Sequence, residues 1–152
     1  MRIFIDADAF PAALREIIIR TSQRRNILLV VVANRHIRFP EYDNMKNVFV
    51  SGGPDAADDY IAEHISKGEI VITFDIPLAH RVVKRGGFAI SPRGELFEER
   101  NINQKLALRN LMEELRNTGL ITGGPPVFSQ KDREAFANQL NKFLDRYYSK
   151  AV

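Results

Sequence analysis

Ile27–Ala33 reads Ile-Leu-Leu-Val-Val-Val-Ala, an unbroken apolar run rich in β-branched side chains. A strand with one wet face alternates polar and apolar residues, so a run of this kind marks a strand covered on both faces. That requirement favours a parallel sheet with helices above and below it, joined by helical crossovers. The surrounding chain supplies the parts. Arg2–Ile5 is a short strand that runs into acid at Asp6. From Pro11 to about Arg24, Leu14, Ile17 and Ile18 recur at helical spacing, and Pro11 suits a first helical turn. Asn47–Ser51 reads as a strand closed by Gly52-Gly53-Pro54, and Asp55–Ser66 as a helix. Glu69–Thr73 is a strand leading to Asp75, Pro77–Arg85 a helix stopped by Gly86-Gly87, and Phe88–Ile90 a last strand before the turn Ser91-Pro92-Arg93-Gly94.

The final third is helical. Leu108, Leu111, Met112 and Leu115 form a stripe ending before Gly119, and 121–128 is a stiff loop containing Gly123-Gly124-Pro125-Pro126. Ser129 and Asp132 are spaced as a capping pair for a last helix, whose Phe136, Leu140, Phe143, Leu144 and Tyr147 share one face and read as core. The expected architecture is α/β: a Rossmann-like parallel sheet of about five strands, flanked by helices. Residues 1–100 form its βαβ core, and 101–152 add helices packed on that core within a single domain of 1–152.

Composition narrows the function classes. The chain is 45% hydrophobic and 27% charged, which suits a globular protein and neither a disordered nor a membrane-embedded one. No apolar run reaches the length of a membrane span, and Asp6 and Asp8 interrupt the amino terminus too early for a signal peptide. With zero cysteines, disulfides, thiolate ligands and cysteine nucleophiles are all excluded, which points to the cytoplasm. The net charge of +3 lies wholly beyond residue 100, a surplus that permits a phosphate-bearing partner such as nucleic acid without requiring one.

The acids hold the strongest chemical signal. Right-handed crossovers bring the carboxyl ends of parallel strands to one edge, where ligands of such sheets bind. Ile3-Phe4-Ile5-Asp6-Ala7-Asp8 delivers two carboxylates to that edge, and alternation would point both the same way if the strand continued. Like charges so placed repel unless a cation lies between them, and Mg²⁺ or Mn²⁺ takes oxygen ligands of this type. Asp8 also reads as a cap for the helix near Pro11. In Asp55-Ala56-Ala57-Asp58-Asp59, Asp55 and Asp59 suit a helix start, whereas Asp58 shares the face of Ile61, Ala62 and Ile65 and points inward. Thr73-Phe74-Asp75 ends another buried-type strand, and Asp75 serves equally as a helix cap. The candidate metal and catalytic set is therefore Asp6, Asp8, Asp58 and Asp75, with Asp55, Asp59 and Thr73 peripheral. Arg35, Arg38 and Arg93 are the candidate phosphate contacts. His36, His64 and His80 lack ligand spacing, Ser22, Ser51 and Ser66 lie in no nucleophile elbow, and no phosphate-loop glycine pattern is present.

Asp6-Ala7-Asp8-Ala9, Asp55 through Asp58, Thr73–Ala79, Pro92-Arg93-Gly94 and Gly123-Gly124-Pro125 together resemble the YaiI/YqxD family of uncharacterised bacterial proteins, over Met1 to roughly Tyr147. Phe10 departs from the Asp-Ala-Cys-Pro run common in that family, which argues against a thiol role there. The resemblance implies a PIN-like fold and Mg²⁺- or Mn²⁺-dependent phosphodiester hydrolysis, usually of RNA. Carried onto this chain, it implies an acidic cluster of Asp6, Asp8, Asp58 and Asp75.

Two other readings compete. Asp6 and Asp8 match the Asp-x-Asp of haloacid-dehalogenase phosphatases, with Thr73, Lys84 and Asp75 cast as the later motifs, but Phe10-Pro11 stands where a threonine is needed. A non-catalytic nucleic-acid-binding or regulatory protein would keep the acids as a structural cation site. Oligomeric state is not legible at this level.

Overall fold

The computed structural model describes residues 1–35 and 42–148. Strands β1 (Arg2–Asp6), β2 (Leu28–Ala33), β3 (Met45–Phe49), β4 (Ile70–Ile72), β5 (Phe88–Ile90) and β6 (Leu96–Phe97) form one sheet in the order β3-β2-β1-β4-β5-β6. The first five are parallel, and β6 is antiparallel to β5. Helices α1 (Arg15–Arg25), α2 (Ala56–His64), α3 (Ile76–Lys84), α4 (Ile102–Asn117) and α5 (Gln130–Tyr147) complete the α/β architecture. No described helix is long and apolar enough to cross a membrane.

The period-2 geometry of strands divides the core into two layers. Ile3, Ile5, Leu29, Val31, Ile70, Ile72 and Ile90 face α1 and α5, meeting Ile18, Phe136, Leu140, Phe143 and Leu144. Phe4, Val30, Val32, Val71 and Ala89 face α2 and α3, meeting Ile61, Ala62, Leu78, Val82 and Val83. This double burial is what the apolar runs require. It also fixes the site, because α1 leaves β1 on one face whereas α2 returns from β3 to β4 on the other. The crevice between the carboxyl ends of β1 and β4 is thus the topological switch point, where open α/β sheets bind ligands.

Several local expectations need correction. β1 runs one residue further than expected and then gives way to a 3₁₀ turn at Ala7–Ala9, so the alternation assumed for Asp8 stops at Asp6. Pro11 flanks a second 3₁₀ turn, Ala12–Leu14, and α1 proper starts only at Arg15 with Leu14 at its N-cap; Asp8 caps nothing. β3 begins two residues earlier than expected, and the two-residue β6 escaped sequence pattern altogether. In α4 Ile102 is buried, but Leu108 and Leu111 are 55% and 51% exposed, so that stripe faces outward.

The expected capping pair is present. The Ser129 hydroxyl accepts from the Asp132 N–H, and the Asp132 carboxylate accepts from the Ser129 N–H. The Ser91–Gly94 turn braces this helix start. Gly94 has φ +88°, and a Cβ there would lie 2.6 Å from the Ala135 carbonyl carbon, so only glycine permits the approach.

Candidate functional site: an acidic cleft at the switch point

Asp6 is the last residue of β1, half-buried where the apolar run meets the crevice. Thr73 follows β4, and its hydroxyl donates to Asp6 Oδ2 at 2.8 Å. The Asp75 N–H donates to the same hydroxyl oxygen at 2.9 Å, and Asp75 Oδ1 in turn accepts from the Leu78 N–H at 2.9 Å. Thr73 therefore ties the ends of β1 and β4 together, while Asp75 caps α3 as expected. Asp58 enters from the first turn of α2, next to buried Ala57, Ile61 and Ala62, and its carboxyl comes within hydrogen-bonding range of that of Asp75. Asp55 occupies the α2 N-cap position, but its side chain caps no N–H.

Electrostatics divides these acids into two groups. Asp8 is neutralised: the Asn34 N–H donates to both its oxygens at 3.2 and 3.0 Å, and Arg35 Nε lies 3.6 Å from Oδ1. Asp59 pairs with Arg81 at 2.8 Å. Asp6, Asp58 and Asp75 form no ion pair with any cation among the described residues. Burial pushes the Asp6 carboxyl above its ordinary range, the Thr73 hydrogen bond opposes this, and the charges of Asp75 and Asp8 reinforce it. Asp58 is pushed up to about 7, first by burial and then by the charges of Asp75 and Asp6. These three groups crowd one another, with hydrogen bonds to Asp6 and Asp75 but no ion pair among the described residues.

They open into a cleft of about 380 Å³ lined by Asp6, Asp8, Asp58, Phe74, Asp75 and Arg109, among others. A second hollow of about 350 Å³ adjoins it through Asp58, Asp75 and Arg109, and adds Asp55, Asp59 and Arg81. Among the described residues, no three acidic, histidine or cysteine side chains gather closely enough to ligate one ion. The acids expected as one ligand cluster thus share a cleft and a field without forming a ready-made cage.

The basic residues fall differently from expectation. Arg93 is committed to structure: it pairs with Asp132 at 2.8 Å and donates to the Pro126 carbonyl, bracing the start of α5. Arg35 is engaged by Asp8, to whose backbone carbonyl it also donates. Arg38 lies outside the described residues. The cation that lines both hollows is Arg109, which sequence reasoning did not single out. It sits on α4, which packs along α3 and so carries residue 109 over the α3 start. Its sequence signal is only an i,i+4 pairing with Glu113, common to many solvated helices.

A family model described as "Uncharacterized BCR, YaiI/YqxD family" matches residues 4–146. A UPF0178 protein of Solidesulfovibrio magneticus is 50% identical over 147 residues, covering 97% of this chain and 98% of its own. Another from Xanthomonas campestris is 49% identical over 145 residues, covering 95% and 91%, and one from Shewanella amazonensis is 46% identical over 146 residues, covering 96% and 98%. No solved structure matches the chain.

Proposed function

The chain belongs to the YaiI/YqxD family, and from its acidic cleft we propose that it is a Mg²⁺- or Mn²⁺-dependent phosphodiesterase acting on RNA. The observation that carries this reading is the crowding of Asp6, Asp58 and Asp75 at the switch point without a counter-cation among the described residues. Repulsion of that kind favours binding of a hard divalent ion. The donor set fits Mg²⁺ better than a fully caged ion, because Mg²⁺ is commonly held by one or two carboxylates with water completing the shell. When bound, such an ion supplies positive charge for a phosphoryl oxygen and lowers the pKa of water.

The protein's own groups have distinct tasks. Asp6, oriented by the Thr73 hydroxyl and by the Asp8 N–H, and Asp75, oriented by the Leu78 N–H, would hold the ion. Asp58, whose carboxyl is crowded by Asp75 and Asp6, would join them as a ligand or accept a proton from attacking water. Arg109, which lines the cleft together with the acids, would bind the phosphate. Asp8 fastens the end of β2 through Asn34 and Arg35.

Cleavage of end-labelled single-stranded RNA with Mn²⁺ tests the reading. Asp6→Asn and Asp75→Asn should each lower the rate at least about 100-fold, as expected for loss of a metal ligand, while the circular dichroism spectrum stays native. Wild-type rates in both variants would refute it.

A further inference from the structure

Phe74 is 40% exposed, on the loop between β4 and α3, and its ring lines the same cleft as Asp6 and Asp75. Exposure alone means little here, since Leu108, Leu120 and Val127 are more exposed. Position sets Phe74 apart. Its neighbours on both sides are site residues bound to each other, with the Thr73 hydroxyl accepting from the Asp75 N–H, so the backbone that presents the ring is held in place. The Arg93 guanidinium lies 6.0 Å from the ring centroid and is itself fixed by Asp132. A large aromatic ring is therefore held, part-exposed, in a cleft that it shares with Asp6, Asp58, Asp75 and Arg109.

A polyanion meets an obstacle in such a cleft, because three carboxylates repel it and Arg109 is the cation that lines it. An uncharged π-face adds attraction without adding repulsion. We propose that Phe74 is a stacking platform for an unpaired nucleobase next to the phosphate held at Arg109, which makes single-stranded nucleic acid the ligand class of this cleft. The assignment rests on the phosphodiesterase reading above for its choice of ligand, and it adds a selection rule. Bases in a duplex are stacked on one another and cannot reach the ring, so the cleft discriminates against double strands.

Equilibrium binding separates this inference from the catalytic one. The probe is a short single-stranded RNA carrying a terminal fluorophore and one internal 2-aminopurine, with Ca²⁺ replacing Mn²⁺. Anisotropy reports affinity, and quenching of the 2-aminopurine reports stacking. Phe74→Leu should weaken binding about tenfold, within the range measured for loss of one base–aromatic stack, and should abolish the quenching. Phe74→Tyr should restore both. The Phe74→Leu deficit should persist between low and high salt, whereas that of Arg109→Ala should shrink as salt rises. The matching duplex should bind weakly and equally to all variants. Equal affinity and quenching in wild type and Phe74→Leu would overturn the proposal, as would failure of the wild type to bind the single strand. If Phe74-dependent binding is present but no divalent ion supports cleavage, the hydrolytic reading fails and the stacking site stands.

Discussion

Asp58 links proton binding to folding more strongly than the other acids of the cleft. Folded, it holds its proton up to about pH 7, whereas in the unfolded chain it releases it near pH 4. Between those values the folded state binds more protons, so stability falls as pH rises and the full cost is reached above pH 7. Asp58→Asn should therefore match the wild type near pH 4 and exceed it at pH 8. The gain should be roughly 1–2 kcal/mol after allowing for solvent screening of a part-exposed group. Urea denaturation at the two pH values measures this. Added Mn²⁺ should shrink the difference, by stabilising the wild-type carboxylate and giving less to the variant. At this scale the sequence revealed where acids lie but not how each is satisfied. Asp6 and Asp75 were legible as strand-end acids. The alternation assumed for Asp8 fails because the strand stops at Asp6, and the Asp8 partners Asn34 and Arg35 come from another strand end, a contact that no local pattern encodes.

Among the elements, α5 depends most on its first turn. Three devices converge there: the Ser129–Asp132 capping box, the Arg93–Asp132 ion pair, and the close approach of Gly94 to Ala135. Gly94→Ala combines a left-handed φ with a backbone clash, and should cost at least about 2 kcal/mol. Ser129→Ala removes one cap and should cost about 1 kcal/mol. Thermal unfolding ranks the two, and equal effects would mean that the turn moves freely away from α5. Arg93 of the Pro-Arg-Gly motif, read as a phosphate contact, braces the start of α5. Its true partner, Asp132, lies 39 residues away and was assigned only to the cap. Periodicity has a similar limit in α4. Spacing puts Leu108, Leu111 and Leu115 on one face, but only packing decides that Ile102 turns inward while Leu108 and Leu111 face solvent. α2, α3 and α5 were legible because their apolar stripes meet strands that were themselves legible.

Taken whole, the molecule has two differently finished ends. Around the carboxyl ends of the strands lie Asp6, Asp58 and Asp75, which form no ion pair among the described residues. At the amino ends Glu69, 5% exposed, accepts from the Arg2 backbone and guanidinium and from the Ser66 N–H. The Tyr148 hydroxyl donates to the Arg2 carbonyl at 3.0 Å. Burial raises the Glu69 carboxyl, but the Arg2 and Ser66 hydrogen bonds and the Arg2 charge outweigh it and hold the group below its ordinary range. Its stabilising share is therefore present above the ordinary glutamate value and is lost as pH falls through the lowered one. Glu69→Gln should cost about 2 kcal/mol at pH 7, less than for a fully buried pair because Arg2 is one-third exposed, and the difference should narrow in acid. Denaturation midpoints across pH check both parts. The parallel sheet and the edge where its strand ends gather were legible from the apolar runs and right-handed crossovers, whereas the strand order and this clamp were not, since the clamp joins Arg2 to residues 67 and 146 positions away.

Tyr148 meets Arg2 at the base of the same central strand whose other end presents Asp6. Four residue steps, roughly 13 Å, separate that junction from the cleft. A fluorescent protein or affinity handle fused next to Arg2 would therefore start at the far pole from the acidic cleft. Such a fusion should leave the cleft open.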